Sequence, residues 1–151
     1  MVTISAAISD HELKDKLTQL QQVTGDLGKL KLIVGTPIKY MVQHQLGTNG
    51  MVKREFLGIS RTDHQEIIEI FDDAIAEPVP RGAEIALREC GETLLLSIDT
   101  RWDREIAPDG TPWKKNTPYT RRLKKAKGRI LKTLQSTGLA RASINYQIIR
   151  E

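Results

Sequence analysis

The sequence predicts an α+β fold in which three or four helices pack against a small, mostly antiparallel sheet. Three observations predict it. Apolar residues recur at helical spacing in two long stretches: Ile67, Ile68, Phe71 and Ile75 in one, and Ala83, Ala86, Leu87, Cys90, Leu94 and Ile98 in the other. Two short stretches, residues 29–34 and 144–149, alternate apolar and polar positions as strands do. No internal repeat or low-complexity tract appears, and 151 residues suit one domain spanning 1–151.

Taken in order, residues 2–7 read as a short strand. Ser9-Asp10-His11-Glu12 is a capping box, and Leu13, Leu17 and Leu20 behind it predict an amphipathic helix over 10–22. Gly25 and Gly28 end it. The strand at 29–34 stops at Gly35-Thr36-Pro37. Residues 38–46 predict a short helix closed by Gly47, with Tyr40 and His44 one turn apart. Thr62-Asp63-His64-Gln65 reads as a second capping box opening the acidic helix 62–77, which Pro78-Val79-Pro80 stops. In the next helix Gly91 weakens the middle by about 1 kcal/mol relative to Ala. Ala107 to Pro112 is a long turn. Thr117-Pro118 pairs an N-cap with a proline at the first helical position, opening a basic helix over 117–128. Ser136-Thr137-Gly138 breaks the chain again before a helical turn at 139–143.

Charge divides the chain sharply. Residues 1–109 hold 12 basic and 18 acidic residues; residues 110–151 hold 11 basic and one acidic, so the two parts carry −6 and +10. The basic part should seek an anionic partner: nucleic acid, a membrane surface, or an acidic protein face, including one on a second copy. Lys114, Lys115, Arg121, Arg122, Lys124, Lys125, Lys127, Arg129 and Arg141 are the candidate contacts. Trp113 and Tyr119 lie among them. Sequence-independent phosphate contact by the helix is one reading, though no recognition-helix or single-strand-binding signature accompanies it. No apolar run approaches the ~18 residues of a membrane span, and no signal-peptide pattern opens the chain. The lone Cys90 excludes an internal disulfide. Synthesis in a cytoplasm is expected.

Catalytic and metal chemistry find little support. His11, His44 and His64 have no second His or Cys at ligand spacing; His11 and His64, each in a capping box, are expected to be solvated. Cys90 falls on an apolar helical stripe and reads as a small buried hydrophobe. Asp99, Asp103, Glu105 and Asp109 cluster around Trp102, and read as a charged helix end beside a basic segment rather than as an acid–base pair. Gly35, Gly47, Gly50 and Gly58 form no phosphate-cradling pattern. No catalytic residue, metal or cofactor is expected.

Four stretches together resemble one family. Tyr40-Met41-Val42-Gln43-His44-Gln45-Leu46-Gly47, Arg54-Glu55-Phe56-Leu57-Gly58-Ile59-Ser60 and Asp109-Gly110-Thr111-Pro112-Trp113 are three. The fourth runs from Ile130-Leu131 to Thr137-Gly138-Leu139-Ala140-Arg141-Ala142-Ser143-Ile144. They are similar to elements of the phage virion morphogenesis (tail completion) family of contractile-tailed and Mu-like phages. The resemblance implies a non-enzymatic assembly protein that acts as a tail is finished and joined to a head. It further implies a homo-oligomer, with a ring as the expected form, contacting other tail or neck proteins, in the virion and in the host cytoplasm during assembly. DNA contact is the less favoured alternative and membrane contact is not expected. Tyr40, His44, Gln45, Gly47, Arg54, Phe56, Leu57, Gly58, Trp113, Gly138 and Ser143 are then structural positions, with Phe56 and Leu57 as core anchors, His44 hydrogen-bonded within the fold, and Arg141 near an interface.

The order departs from the family, in which the Trp and Thr-Gly elements come first. The chain reads as a circular permutation with its junction near 78–82. On that reading strand 144–149 should pair antiparallel with strand 29–34, which in family order would be a hairpin. The charge split would then serve contacts between neighbouring subunits, acidic helix 62–77 against the basic helix.

Overall fold

The computed structural model describes residues 30–76 and 82–150, together with His11, Lys14, Asp15 and Thr18. Those four are helical and exposed, with His11 Nδ1 3.2 Å from Asp15. The rest of the helix expected over 10–22, the strand at 2–7 and the Pro78-Val79-Pro80 stop lie outside the described residues.

The element order is β1 (Leu30–Gly35), α1 (Tyr40–Leu46), α2 (Arg61–Ala76), α3 (Gly82–Arg104), α4 (Pro118–Ala126), α5 (Leu139–Ala142) and β2 (Asn145–Arg150). The class is α+β. β1 and β2 pair antiparallel from Leu30 opposite Arg150 to Gly35 opposite Asn145. The pairing expected from the permuted order is therefore present. On β2 the half-buried positions are Tyr146 and Ile148, the alternation that covers one face of a sheet.

α2 and α3 form a hairpin that packs on the sheet. Ile67, Phe71 and Ala74 of α2 bury against Ala83, Ala86, Leu87, Cys90 and Leu94 of α3, with Leu32, Val34 and Ile148 of the sheet beside them. The apolar stripe of α3 continues into a second cluster, where Ile98 and Trp102 meet Met41, Phe56, Leu57, Ala107, Trp113 and Ala140. Cys90 is buried and its thiol is pushed up to about 12, chiefly by desolvation, so it acts as a small core side chain.

Two local expectations change. The capping box of α2 lies two residues earlier than Thr62: the Ser60 N–H donates to Asp63 Oδ2 (2.7 Å) and the Asp63 N–H donates to Ser60 Oγ (3.1 Å). Ser60 sits outside the helix with its hydroxyl free to cap, whereas Thr62 is already in the first turn. His64 is accordingly half-buried rather than solvated. Gly91 is not merely a weak point in α3. A Cβ there would lie 2.6 Å from Cδ2 of Tyr146, so the missing side chain is what lets β2 approach the helix.

Candidate interaction surface

Gln45, Arg54, Phe56, Leu57 and Trp113 of the motif residues are buried. Gln45, 5% exposed on α1, uses both ends of its amide. Its Oε1 accepts from the N–H groups of Phe56 and Leu57 (2.9 Å each), and its Nε2 donates to the Leu57 carbonyl (2.8 Å). A buried loop backbone has to find such partners, because water cannot supply them. Gly47 ends α1 in the left-handed region (φ 71°), where a Cβ would strike Lys53. Arg54 follows: its N–H donates to the His44 carbonyl (2.7 Å) and its Nε to the Lys114 carbonyl (3.0 Å). Burial and the Arg54 guanidinium hold the His44 imidazole below its ordinary pKa, opposed by a backbone bond at Val52. The buried His44 Nδ1 has no hydrogen-bond partner among the described residues, and Tyr40 stands half-exposed with its ring edge-on to the imidazole at 6.4 Å.

Phe56, Trp102 and Trp113 stack edge to face, with centroids 5.6 and 5.4 Å apart. The Trp113 indole N–H donates to the Glu55 carbonyl (2.9 Å). Leu57 is buried as an anchor. Gly58 brings the chain against Pro108, which a Cβ would meet at 2.9 Å. Gly138 (φ 79°) opens α5. Ser143 Oγ lies 2.7 Å from Thr36 Oγ1 and donates to the Ala140 carbonyl, tying the end of α5 to the end of β1.

One buried ion pair was missed. Arg101 Nη1 sits 3.2 Å from Asp63 Oδ2, both side chains at most 5% exposed, and Nη2 donates to the Gly58 carbonyl (2.9 Å). Desolvation pushes the Arg101 pKa down and Asp63 opposes it. The signal was present: Arg101 falls on the same helical stripe as Leu94 and Ile98, where a cation belongs only with a buried partner.

The structure divides the basic candidates in two. Several are engaged inside the molecule. Arg141 clamps both Asp99 and Asp103, one turn apart on α3, with Nη1 2.8 Å from Asp103 Oδ1. These bonds raise the Arg141 pKa above its ordinary value. Lys132 adds a contact to Asp103 at 3.3 Å. Asp103 is held down to about 2, first by Arg141 and then by Lys132. Lys115 pairs with Glu105, whose other oxygen accepts the Thr133 N–H. Burial would push Glu105 up, but these bonds prevail and hold it to about 2. Lys124 is half-buried and caps the carbonyls of Lys132 (2.8 Å) and Gln135 (3.3 Å). Arg129 reaches Ser136 Oγ at 3.3 Å.

The others face outward. The side chains of Lys114, Arg121, Arg122, Lys125 and Lys127 are exposed and make no ion pair among the described residues. Four of them ride on α4 or just after it. That helix is capped by Thr117, whose Oγ1 accepts the Thr120 N–H (3.2 Å), and it contains no buried residue. Tyr119 is 70% and Leu123 43% exposed, and Ile130 and Leu131 beyond it are also exposed. The surface is thus basic and apolar together. The acidic counterpart is the outer side of α2, where Glu66, Glu69 and Asp73 are exposed.

Among the described residues no three His, Cys, Asp or Glu side chains converge to hold a metal. An apolar recess of about 340 Å³ lies between α3 and α5, lined by Leu95, Leu96, Ile98, Trp102 and Ile144, with the Asp99–Arg141 pair at its edge. Among the described residues that line it, the titratable Asp99 and Arg141 are bound to each other. No helix among the described residues is long and apolar enough to cross a membrane.

A family model described as the phage virion morphogenesis family matches residues 70–151, just over half of the chain. No curated protein and no solved structure matches it. The matched span holds the Trp113 turn, the Gly138 turn and the whole basic segment.

Proposed function

Because the chain belongs to the phage virion morphogenesis family, and so has a role in phage assembly, we propose that it is a non-enzymatic structural protein acting in tail completion or head–tail joining. It works as a homo-oligomer, a ring being the form we favour, in contact with other tail or neck proteins, in the host cytoplasm during assembly and then in the virion. The observation that carries this reading is the sorting of polar groups. Arg141, Lys132, Lys115 and Lys124 bond within the chain, while Arg121, Arg122 and Lys125 on α4 and Glu66, Glu69 and Asp73 on α2 stay exposed without an intrachain partner among the described residues, and Tyr119 and Leu123 on α4 are exposed beside them. Such a surface suits protein contact. The gene can be inactivated in a phage that carries it and the lysate viewed by electron microscopy. Separate heads and tails, restored to whole particles by the gene supplied in trans, are expected; normal infectious particles would overturn the proposal.

The exposed Arg121, Arg122, Lys125 and Lys127 beside Tyr119 support a second reading, sequence-independent binding of nucleic acid. The permuted order is likewise our reading. It is supported by the β1–β2 pairing and by a family match that begins at residue 70, beyond the Tyr40 and Phe56 motifs.

A further inference from the structure

α4 is a nine-residue helix with no buried residue. Isolated helices of that length are marginal in water, and most helices are held by packing of one face. Its half-buried positions are Thr120 and Lys124, which turn toward the body of the molecule. At 3.6 residues per turn the opposite side carries Arg122, Lys125 and Tyr119, flanked by Arg121 and Leu123. None of the three cations has an intrachain partner among the described residues.

α2 presents the complement. Glu66, Glu69 and Asp73 stand at helical spacing on one stripe, roughly 10 Å long at 1.5 Å per residue. They are exposed and also lack an intrachain partner among the described residues. Half-buried Ile70 lies beside Glu66 and Asp73 on the same flank, an apolar patch for Leu123 or Tyr119 to cover. The acids near the far end of α3 do not compete, because Asp99, Asp103 and Glu105 are already paired with Arg141, Lys132 and Lys115.

Resting on the assembly reading above, we propose that α4 of one copy docks on the outer face of α2 of a second copy, with Arg121, Arg122 and Lys125 against Glu66, Glu69 and Asp73. Every copy then carries one donor face and one acceptor face. Such a contact either propagates head to tail and closes into a ring, or is exchanged reciprocally between two copies. Charge complementarity fixes the register, and the apolar contact of Tyr119 and Leu123 supplies the dry centre.

The test uses two triple variants of the full chain. One carries Arg121→Glu, Arg122→Glu and Lys125→Glu; the other carries Glu66→Lys, Glu69→Lys and Asp73→Lys. All six positions are exposed, so thermal unfolding should show both variants folded. Sedimentation at low salt should show each alone self-associating at least about tenfold more weakly than wild type. An equimolar mixture should regain assembly, because each reversed face then meets an opposite one. If either variant assembles like wild type, or the mixture gains nothing, the docking is overturned while the assembly reading stands. If the wild-type chain is monomeric at every salt concentration, the assembly reading falls and the docking with it. If reversal on α4 abolishes duplex DNA binding by a monomeric chain, the nucleic-acid reading replaces both.

Discussion

Gln45 shows how much of the architecture can rest on a single side chain. It satisfies the backbone of Phe56 and Leu57 with three hydrogen bonds in a buried setting. Gln45→Ala leaves two N–H groups and a carbonyl without partners, and should cost about 3 kcal/mol. A fall in the urea midpoint with an unchanged slope would check it. Gly91 makes the opposite argument. Helix propensity alone says that Gly91→Ala should stabilise by about 1 kcal/mol. The Tyr146 ring lies where the Cβ would go, and overpacking costs about 1–3 kcal/mol. The clash should win, so the variant should melt below wild type. Combining it with Tyr146→Ala should be non-additive, since the two positions touch. Gln45 was legible in the sequence only as part of a resemblance. The crowding at Gly91 was not legible at all, because it depends on where β2 arrives more than fifty residues later.

At the scale of elements, the end of α3 joins the acidic and basic parts of the chain. The N–H of Glu105 returns to the Trp102 carbonyl (3.4 Å) and that of Ile106 to the Arg101 carbonyl (3.1 Å), the two bonds of a Schellman cap. Glycine normally takes the left-handed position, yet Glu105 holds it at φ 55°. Its carboxylate, with only 13% of the side chain exposed, bonds Lys115 and the Thr133 N–H and so anchors the cap to the basic segment. A pH dependence follows. The folded pKa of Glu105 is about 2, below the ordinary 4.5, so its stabilising contribution is complete above 4.5 and is lost as pH falls through about 2. Asp103, at about 2, acts in the same direction. Glu105→Gln should flatten the acid limb of stability against pH between 4.5 and 2 and leave the part due to Asp103. Urea unfolding at successive pH values measures this, and an unchanged limb would refute the role given to Glu105. Helix positions, the Thr117 cap and both strands were legible here because they follow from local periodicity. The cap of α2 lies at Ser60, two residues before the expected Thr62, because two overlapping Ser/Thr-x-x-acid/amide patterns compete there and only packing decides between them. The Asp63–Arg101 pair, 38 residues apart, needed the hairpin to exist before it could be seen.

At the scale of the whole molecule, the −6/+10 split first read as one basic arm seeking one anion. The structure divides it into cations that hold the basic segment to the end of α3 and cations on α4, Arg121, Arg122 and Lys125, that have no partner among the described residues. The first group makes the segment an integral part of the fold; the second leaves a face for something outside. The pairing of β2 with β1, Arg150 opposite Leu30, places the two strand ends side by side, so a connection made of residues 1–29 can reach from one to the other. A rearranged chain running 82–151 and then 1–76 should therefore fold, with a thermal midpoint within a few degrees of the original. Failure of that chain to fold would remove the permutation reading. The central claim, that the outward charge serves assembly rather than nucleic acid, is tested most directly by the mass of the protein in solution at low and high salt, with and without duplex DNA. The account predicts a multiple of the 17.0 kDa chain at low salt that dissociates at high salt and is indifferent to DNA. A 17.0 kDa monomer that binds DNA with a steep salt dependence would contradict it.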